Sequence, residues 1–220
     1  LKTKEEEQAA LQLQLAEQAD KLAAMSTVLE SQKAEMLSQQ KRLDDLVGVR
    51  GKIIQELSAA LAAANLRATV DSSTGDIMLD SAVFFDTNSS AIKDSGQSLL
   101  SRFLPVYLGV LMQPEYADYV GEIIIEGHTD TAGSYMSNLK LSQNRALSVA
   151  EYCLQLSSLT PSQVTQLQKL LTAKGRSFSD PIYQADGTVD MSASRRVEFK
   201  FRLKDSEMID EMNRILSQMQ

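Results

Sequence analysis

The first part of the chain carries apolar residues at a seven-residue spacing. One position of each heptad is strongly apolar and holds Leu15, Leu22, Leu29, Met36 and Leu43. The position three residues further on is largely polar and holds Gln18, Met25, Gln32, Gln39 and Leu46. Because residues 1–47 also lack Gly and Pro, the pattern predicts a coiled-coil stalk over residues 1–50 that pairs as a parallel homodimer. The alternative is a single amphipathic helix lying on its own domain.

The periodicity changes after this segment. Gly48 and Gly51 are predicted to interrupt the helix, and a linker helix over residues 51–67 follows them. Its apolar face consists of Ile53, Ile54, Leu57 and Leu61. At the other end of the chain, Met208, Ile209, Met212, Ile215 and Leu216 recur at helical spacing. They predict a C-terminal amphipathic helix over residues 205–220.

Residues 68–204 alternate between strand and helix patterns. The predicted elements are, in order, a hairpin over 68–79, a short strand end at 83–85, a helix over 92–112, a buried strand over 122–126, a helix from 138 to 156 capped by Ser142, a helix over 164–174 ending at Gly175, a loop over 176–194 and a last strand over 197–204. In that last strand, alternation predicts one face in the core and the other in water. Strands alternating with helices predict the α+β class, with a mixed sheet and helices on one face.

Composition narrows the classes of function. The net charge of −7 argues against nucleic acid as a partner, since phosphate binding needs a basic surface. No apolar run approaches the ~20 residues of a membrane helix. Cys153, the single cysteine, is spaced like a core residue and forms no intramolecular disulfide. The chain begins with Leu1 rather than Met, which is typical of a fragment or a processed form, and processing can remove an upstream export or anchoring segment.

One carboxylate and one guanidinium are candidates for binding chemistry. Asp130 follows the buried strand, and Arg145 is predicted in the first turn of the next helix. Since strand ends and helix starts meet at one edge of such a sheet, both side chains can face a common cleft beside free helix N–H groups. The cleft would suit a ligand that bears an ammonium and a carboxylate. An internal salt bridge between Asp130 and Arg145 explains the same residues equally well.

An enzymatic site is not predicted. His128 is the only histidine, and no Gly-x-Ser-x-Gly elbow accompanies it. Its spacing from Cys153 matches no metal-ligand pattern. We therefore interpret His128 as a structural hydrogen-bonding residue and expect no catalytic residue, metal or cofactor.

Four separated motifs resemble a known family. They are Phe85-Asp86-x-Asn88, Gly127-His-Thr-Asp130-x-x-Gly133, Asn138-x-x-Leu141-Ser142-x-x-Arg145-Ala146-x-x-Val149 and Ser194-Arg-Arg-Val-Glu198. Together they resemble the OmpA C-terminal domain family, which includes the Pal lipoproteins and MotB-type stator B subunits. The resemblance implies an OmpA-like βαβαβ sandwich over residues 68–204.

The resemblance also implies a ligand and its site. The family binds the stem peptide of peptidoglycan through the zwitterionic end of meso-diaminopimelate. By that likeness Asp130 takes the ammonium and Arg145 takes the carboxylate. The pocket would be completed by Thr129, Asn138, Leu141 and Arg195, with Phe85 at the rim.

The region around the last strand resembles one branch of the family. The long insert over 157–194 and the extended last strand look like MotB-like stator B subunits, including that of the Zorya anti-phage system. This likeness implies a dimer in the periplasm or cell envelope, an inner-membrane A-type subunit as partner, and an inner-membrane helix upstream of Leu1. Two alternatives stay open: a coiled-coil scaffold whose globular end binds a protein, and an OmpA/Pal-type outer-membrane tether.

Overall fold

The computed structural model describes residues 2–66 and 68–204. The predicted helix over 205–220 lies outside the described residues. The chain divides into two compact units, one ending at Asp45 and the other beginning at Leu46. The boundaries at residues 50 and 67, which separate the predicted stalk, linker helix and globular domain, stay a prediction.

Helix α1 (Lys2–Ala63) forms the N-terminal part of the chain. It continues through Gly48 and Gly51, so the predicted interruption there is wrong. A glycine costs a helix only about 1 kcal/mol relative to alanine, and the strong helix formers on both sides outweigh that cost. From Ile53 onward packing adds to helix stability, because Ile53, Leu57 and Leu61 are buried in the core of the second unit.

In the first unit, nothing in the described part of the chain covers four seam residues of α1. The side chains of Leu15, Leu22, Leu29 and Met36 are between 58% and 72% exposed. An apolar row of this kind on a single helix gains stability only when another surface buries it.

A five-stranded mixed sheet forms the centre of the second unit. Its strands are β1 (Thr69–Val70), β2 (Ile77–Asp80), β3 (Val120–Gly127), β4 (Leu171–Gly175) and β5 (Arg196–Leu203). Their spatial order is β1-β2-β5-β3-β4, with β3 and β4 parallel and the other pairs antiparallel. The predicted α+β class, with a long N-terminal helix before a mixed sheet, is confirmed.

Within the described residues, five further helices accompany the sheet. They are α2 (Ser81–Phe84), α3 (Asp94–Leu111), α4 (Tyr135–Leu154), α5 (Pro161–Leu170) and α6 (Met191–Ser194). The rings of Phe103 and Tyr107 on α3 pack against Phe199 on β5, with ring centroids 4.8 and 5.8 Å apart. The free Cys153 is buried in the same core, as its spacing predicted.

The predicted strand end at 83–85 is wrong. Residues Ser81–Phe84 form α2, whose first turn is capped by Asp80: the carboxylate accepts a hydrogen bond from the N–H of Ala82 at 2.8 Å. An aspartate before a short apolar run satisfies a helix start as well as a strand end.

Helix α4 begins earlier than the sequence predicted. Its cap is Ser134, whose hydroxyl accepts a hydrogen bond from the N–H of Ser137 at 3.2 Å. Ser142 is fully buried inside the helix, so its prediction as the cap is wrong. Arg145 consequently lies in the middle of α4 and not in its first turn.

The predicted helix over 164–174 ends too late. Helix α5 starts with a capping box between Thr160 and Gln163 and ends at Leu170. Residues 171–175 instead form β4, which pairs with β3 over its whole length. A long-range partner strand decides the conformation here, and local helical spacing cannot reveal it.

The last strand differs from the prediction on its polar face. Its core face holds Val197, Phe199, Phe201 and Leu203 as predicted. On the opposite face Arg196 and Glu198 are each only 5% exposed, so this part of the face is not in water.

Candidate functional site

Two glycines allow α4 to approach the ends of β3 and β4. A Cβ atom on Gly127 would clash with the carbonyl oxygen of Ser142, and one on Gly175 would clash with the backbone nitrogen of Gln143. The hydroxyl of Ser142 also accepts a hydrogen bond from the N–H of Ser177 at 3.0 Å. These contacts fix Arg145, which follows one helical turn later.

A cavity of about 500 Å³ opens where β3 ends and β5 begins. Every residue predicted for the site lines it: Phe85, Thr129, Asp130, Asn138, Leu141, Arg145 and Arg195. The structure thus brings together residues that are up to 110 positions apart in the chain, counted from Phe85 to Arg195.

Arg145 is held in this cavity by backbone groups. Its Nε donates to the carbonyl of Ser89 at 2.9 Å, and Nη2 donates to the carbonyl of Asp86 at 3.2 Å. The guanidinium carbon also lies 5.0 Å from the centre of the Phe85 ring, a cation–π distance. Phe85 is only 4% exposed and therefore lies beneath the guanidinium and not at the rim.

The charge of Arg145 is poorly compensated. Burial lowers the pKa of Arg145, and the positive charge of Arg195 lowers it further. The negative charge of Asp130 raises this pKa, but its effect is smaller. Among the ion pairs of the described residues, none involves Arg145. Arginine stays protonated at any physiological pH, so this cavity contains a desolvated positive charge.

Asp130 has a different partner from the one considered in the sequence. Its Oδ2 accepts a hydrogen bond from Nη1 of Arg195 at 2.6 Å, and its Oδ1 accepts one from the N–H of Ala132 at 3.0 Å. The internal salt bridge between Asp130 and Arg145 is therefore not formed in the described structure. The Asp130 carboxylate thus shares the cavity with two guanidiniums, those of Arg145 and Arg195.

The uncharged lining residues complete the cavity. Asn138 donates from Nδ2 to the carbonyl of Ala132 at 2.7 Å, which fixes the loop that follows Asp130. Thr129 is 3% exposed, and its hydroxyl finds no hydrogen-bond partner in residues 2–66 and 68–204. A buried hydroxyl without a partner costs free energy, and a ligand atom could satisfy it.

Helix α4 contributes side chains to the cavity and not its free N–H groups. Its lining residues are Asn138, Leu141 and Arg145, all beyond the first turn of a helix that starts at Tyr135. The expected helix N-terminus beside the ligand is therefore wrong.

The lining also includes residues that the sequence reasoning did not assign. They are Ser81, Ala82, Asp86, Thr87, Asn88 and Ala132. Asn88 has a φ of 57°, which bends the loop so that carbonyls on both sides of it reach Arg145. The motif Phe85-Asp86-x-Asn88 was a signal for this loop, but only Phe85 was placed in the site.

A buried charge cluster lies on the polar face of the sheet, close in sequence to the cavity residues Thr129 and Arg195. The Nε2 of His128 lies 3.5 Å from the carboxylate of Glu126 and 3.3 Å from that of Glu198. The ammonium of Lys200 lies 2.6 and 2.7 Å from the same two carboxylates, and Lys174 lies 2.7 Å from Glu126. The side chains of Glu126, His128 and Glu198 are close enough together to ligate a cation. However, the ammonium of Lys200 already lies between the two carboxylates.

The cluster keeps its carboxylates ionised. Burial alone would raise the pKa of Glu126 and Glu198, but contacts with His128 and Lys200, helped by Lys174 at Glu126, outweigh that effect and hold both values well below 4.5. For Lys200 burial acts against the charge, and the two glutamates raise its pKa above the usual value. The cluster therefore supports the strand ends that carry Thr129, Asp130 and Arg195.

The mixed sheet, the four motifs and the residues that line the cavity all point to the OmpA family, and a comparison with known protein families gives the same result. Residues 84–195, about half of the chain, match the OmpA family, and the chain belongs to this family.

The most similar relatives include the Zorya protein ZorB from two strains of Escherichia coli. With ZorB of strain ATCC 8739 the identity is 32%, covering 60% of this chain and 59% of the relative. With ZorB of the O139:H28 strain E24377A the identity is 35%, covering 71% of this chain and 66% of the relative. The chain thus spans less than two thirds of the length of either relative.

The fold is shared with a solved structure. A MotB-like protein from Desulfovibrio vulgaris superposes with a TM-score of 0.53 at 18% sequence identity, covering 73% of this chain and 94% of that one. Within residues 2–66 and 68–204, none of the helices combines the length and apolar character needed to cross a bilayer.

Proposed function

We propose that residues 68–204 bind the stem peptide of bacterial peptidoglycan without catalysing a reaction. The ligand is the free amino-acid end of diaminopimelate, which carries an ammonium and a carboxylate on one carbon atom. The observation that carries the proposal is the desolvated guanidinium of Arg145, which is 4% exposed and held by carbonyls in a cavity of about 500 Å³.

The remaining donors of Arg145 fit a carboxylate. A guanidinium has five N–H groups, and two of them serve Ser89 and Asp86 among the described residues. The other edge of the fork can bind both oxygens of a ligand carboxylate. Asp130, 15% exposed at the side chain, offers negative charge to the ammonium.

The anchored protein as a whole is proposed to be a dimeric stator-type subunit of the cell envelope. The Zorya ZorB relatives and the MotB-like fold support this role. The proposal includes an A-type partner subunit in the inner membrane, a membrane helix upstream of Leu1, and pairing of two chains along α1. The exposed seam of α1 supports the pairing, because a second copy would bury it.

Co-sedimentation with purified sacculi tests the binding proposal. Asp130→Asn and Arg145→Lys should each reduce the bound fraction at least tenfold, because the first removes the charge that attracts the ammonium and the second replaces a planar fork by a point charge. Asp118→Asn and Arg202→Lys make the same two substitutions at exposed positions outside the cavity and should bind like the unmodified protein.

Thermal unfolding of each variant serves as the control for folding. If folded Asp130→Asn and Arg145→Lys both keep full binding, the site assignment is wrong. If the unmodified chain itself does not sediment with sacculi, the globular unit has another partner, as in the scaffold alternative.

A further inference from the structure

The ion pair between Asp130 and Arg195 has a consequence for ligand choice. The Oδ2 of Asp130 lies 2.6 Å from Nη1 of Arg195. The Asp130 side chain is 15% exposed, whereas that of Arg195 is 42% exposed. A ligand ammonium that approaches Asp130 therefore meets a carboxylate that already has a cationic partner.

The two residues differ in freedom of movement. Asp130 is tied into its loop through the N–H of Ala132. The backbone of Arg195 is also fixed, since its carbonyl accepts from the N–H of Ser81 at 3.1 Å and its N–H donates to Ser192 at 3.1 Å. Beyond its backbone, however, the long side chain of Arg195 is half in solvent and can turn without disturbing the core.

We propose, on the basis of the function proposed above, that Arg195 selects zwitterions by ion-pair exchange. The ligand ammonium replaces the Arg195 guanidinium on Asp130, and the released guanidinium joins Arg145 on the ligand carboxylate. Asp130 and Arg195 each have an oppositely charged partner before and after binding, and Arg145 gains one. This matters because a half-buried charge that loses its partner is strongly destabilising.

The exchange works against ligands with only one of the two charges. An amine without a carboxylate displaces Arg195 and gives it nothing to bind. A carboxylate without an ammonium competes with Asp130 for the same guanidinium. A singly charged ligand is therefore disfavoured because its complex leaves a charge without a partner, and a zwitterion is favoured because both of its charges are paired.

Three probes of similar chain length separate these cases. They are meso-diaminopimelate, 1,5-diaminopentane, which lacks both carboxylates, and pimelate, which lacks both ammoniums. Calorimetric titration of the full chain with each probe gives the three dissociation constants for the unmodified protein, for Arg195→Gln and for Arg145→Gln.

The expected result is a change of opposite sign for two of the probes. Arg195→Gln should weaken meso-diaminopimelate about tenfold and tighten 1,5-diaminopentane about tenfold, each corresponding to one charge-assisted hydrogen bond. Arg145→Gln should weaken meso-diaminopimelate and pimelate with a much smaller gain for the diamine, because Arg145 does not bond to Asp130. Arg195→Lys keeps the positive charge and should suppress the gain for the diamine.

The possible results test ion-pair exchange separately from the proposed binding of diaminopimelate. If Arg195→Gln leaves diamine binding unchanged, or weakens it together with meso-diaminopimelate, ion-pair exchange is wrong while the binding site stands. If the unmodified protein binds none of the three probes, the proposed function fails and the exchange fails with it. Melting temperatures show whether each variant is folded, and Arg195→Lys supplies a second variant with the charge intact.

Discussion

At the scale of single residues, the buried charges on the polar face of the sheet determine how stability responds to acid. Glu126 and Glu198 both have pKa values below the ordinary 4.5. Above about pH 5.5 both glutamates are ionised in the folded and the unfolded chain, and their full contribution to stability is present. Below about pH 4.5 the two glutamates become protonated in the unfolded chain but stay ionised in the folded chain, so the free energy of unfolding falls.

Glu198→Gln tests this assignment. At pH 7 the substitution should lower the free energy of unfolding by about 3 kcal/mol, because Arg196 and Lys200 lose a buried partner. Between pH 4.5 and 3 its stability should also depend less on pH than that of the unmodified protein, by about 1.4 kcal/mol per pH unit. Urea unfolding across this range provides the measurement, with Glu151→Gln, an exposed glutamate in α4, as the control. Parallel pH profiles for Glu198→Gln and the unmodified protein would contradict the assignment.

At the scale of elements, the close contact of α4 with β3 and β4 sets the position of Arg145. A methyl group on Gly127 would meet a backbone oxygen of α4, so the helix would have to move. Gly127→Ala should therefore lower the free energy of unfolding by about 2 kcal/mol and weaken binding to sacculi. Gly109→Ala in α3, where a Cβ has nothing within 4 Å, should instead stabilise the protein by about 0.5–1 kcal/mol.

Chemical denaturation of both alanine variants measures the difference. Equal effects of the two substitutions would mean that α4 does not depend on the glycine contact. A destabilised Gly127→Ala with undiminished binding would separate helix packing from the position of Arg145.

Elements with a strong period of their own were predictable from the sequence. The heptads predicted α1, and the alternation of Val197, Phe199, Phe201 and Leu203 predicted β5. Residues 171–174 were mistaken for helix because their partner β3 lies about 48 positions away, as between Ile123 and Leu171. Ser142 was mistaken for a cap because a serine buried inside a helix and one that caps it look the same in a local pattern.

The site could be predicted as a set of residues but not as a set of contacts. Motifs that resemble one family placed seven residues in one cavity. The hydrogen bonds of Arg145 to Ser89 and of Arg195 to Asp130 join positions 56 and 65 residues apart. Only the packed arrangement of the loop after Phe85 and the start of β5 decides these pairs, and no spacing rule contains that information.

At the scale of the whole molecule, the seam of α1 is the proposed contact between two chains. Leu22 and Leu29 are 72% and 68% exposed, so replacing them leaves the fold of a single chain unaffected. Leu22→Glu combined with Leu29→Glu should convert the dimer to a monomer, because two like charges per chain would face each other in the seam. Leu13 and Leu37 are similarly exposed, at 74% and 58%, but lie off the seam. Glutamates there should leave the dimer intact.

Light scattering of the eluting protein gives the mass of each variant directly. A chain shortened to begin at Gly48 distinguishes the seam from a second interface, since it loses the whole heptad region and keeps the globular residues. If this shortened chain and the seam variant both keep a dimer mass, the contact lies in the globular unit. If the unmodified chain is a monomer at micromolar concentration, the apolar row of α1 serves another surface and pairing of two chains is wrong. If the two seam glutamates convert the dimer to a monomer, the unmodified protein pairs through α1 and each dimer carries two of the proposed peptidoglycan-binding pockets. Two linked weak sites bind a polymer such as peptidoglycan more tightly than one site does, by orders of magnitude.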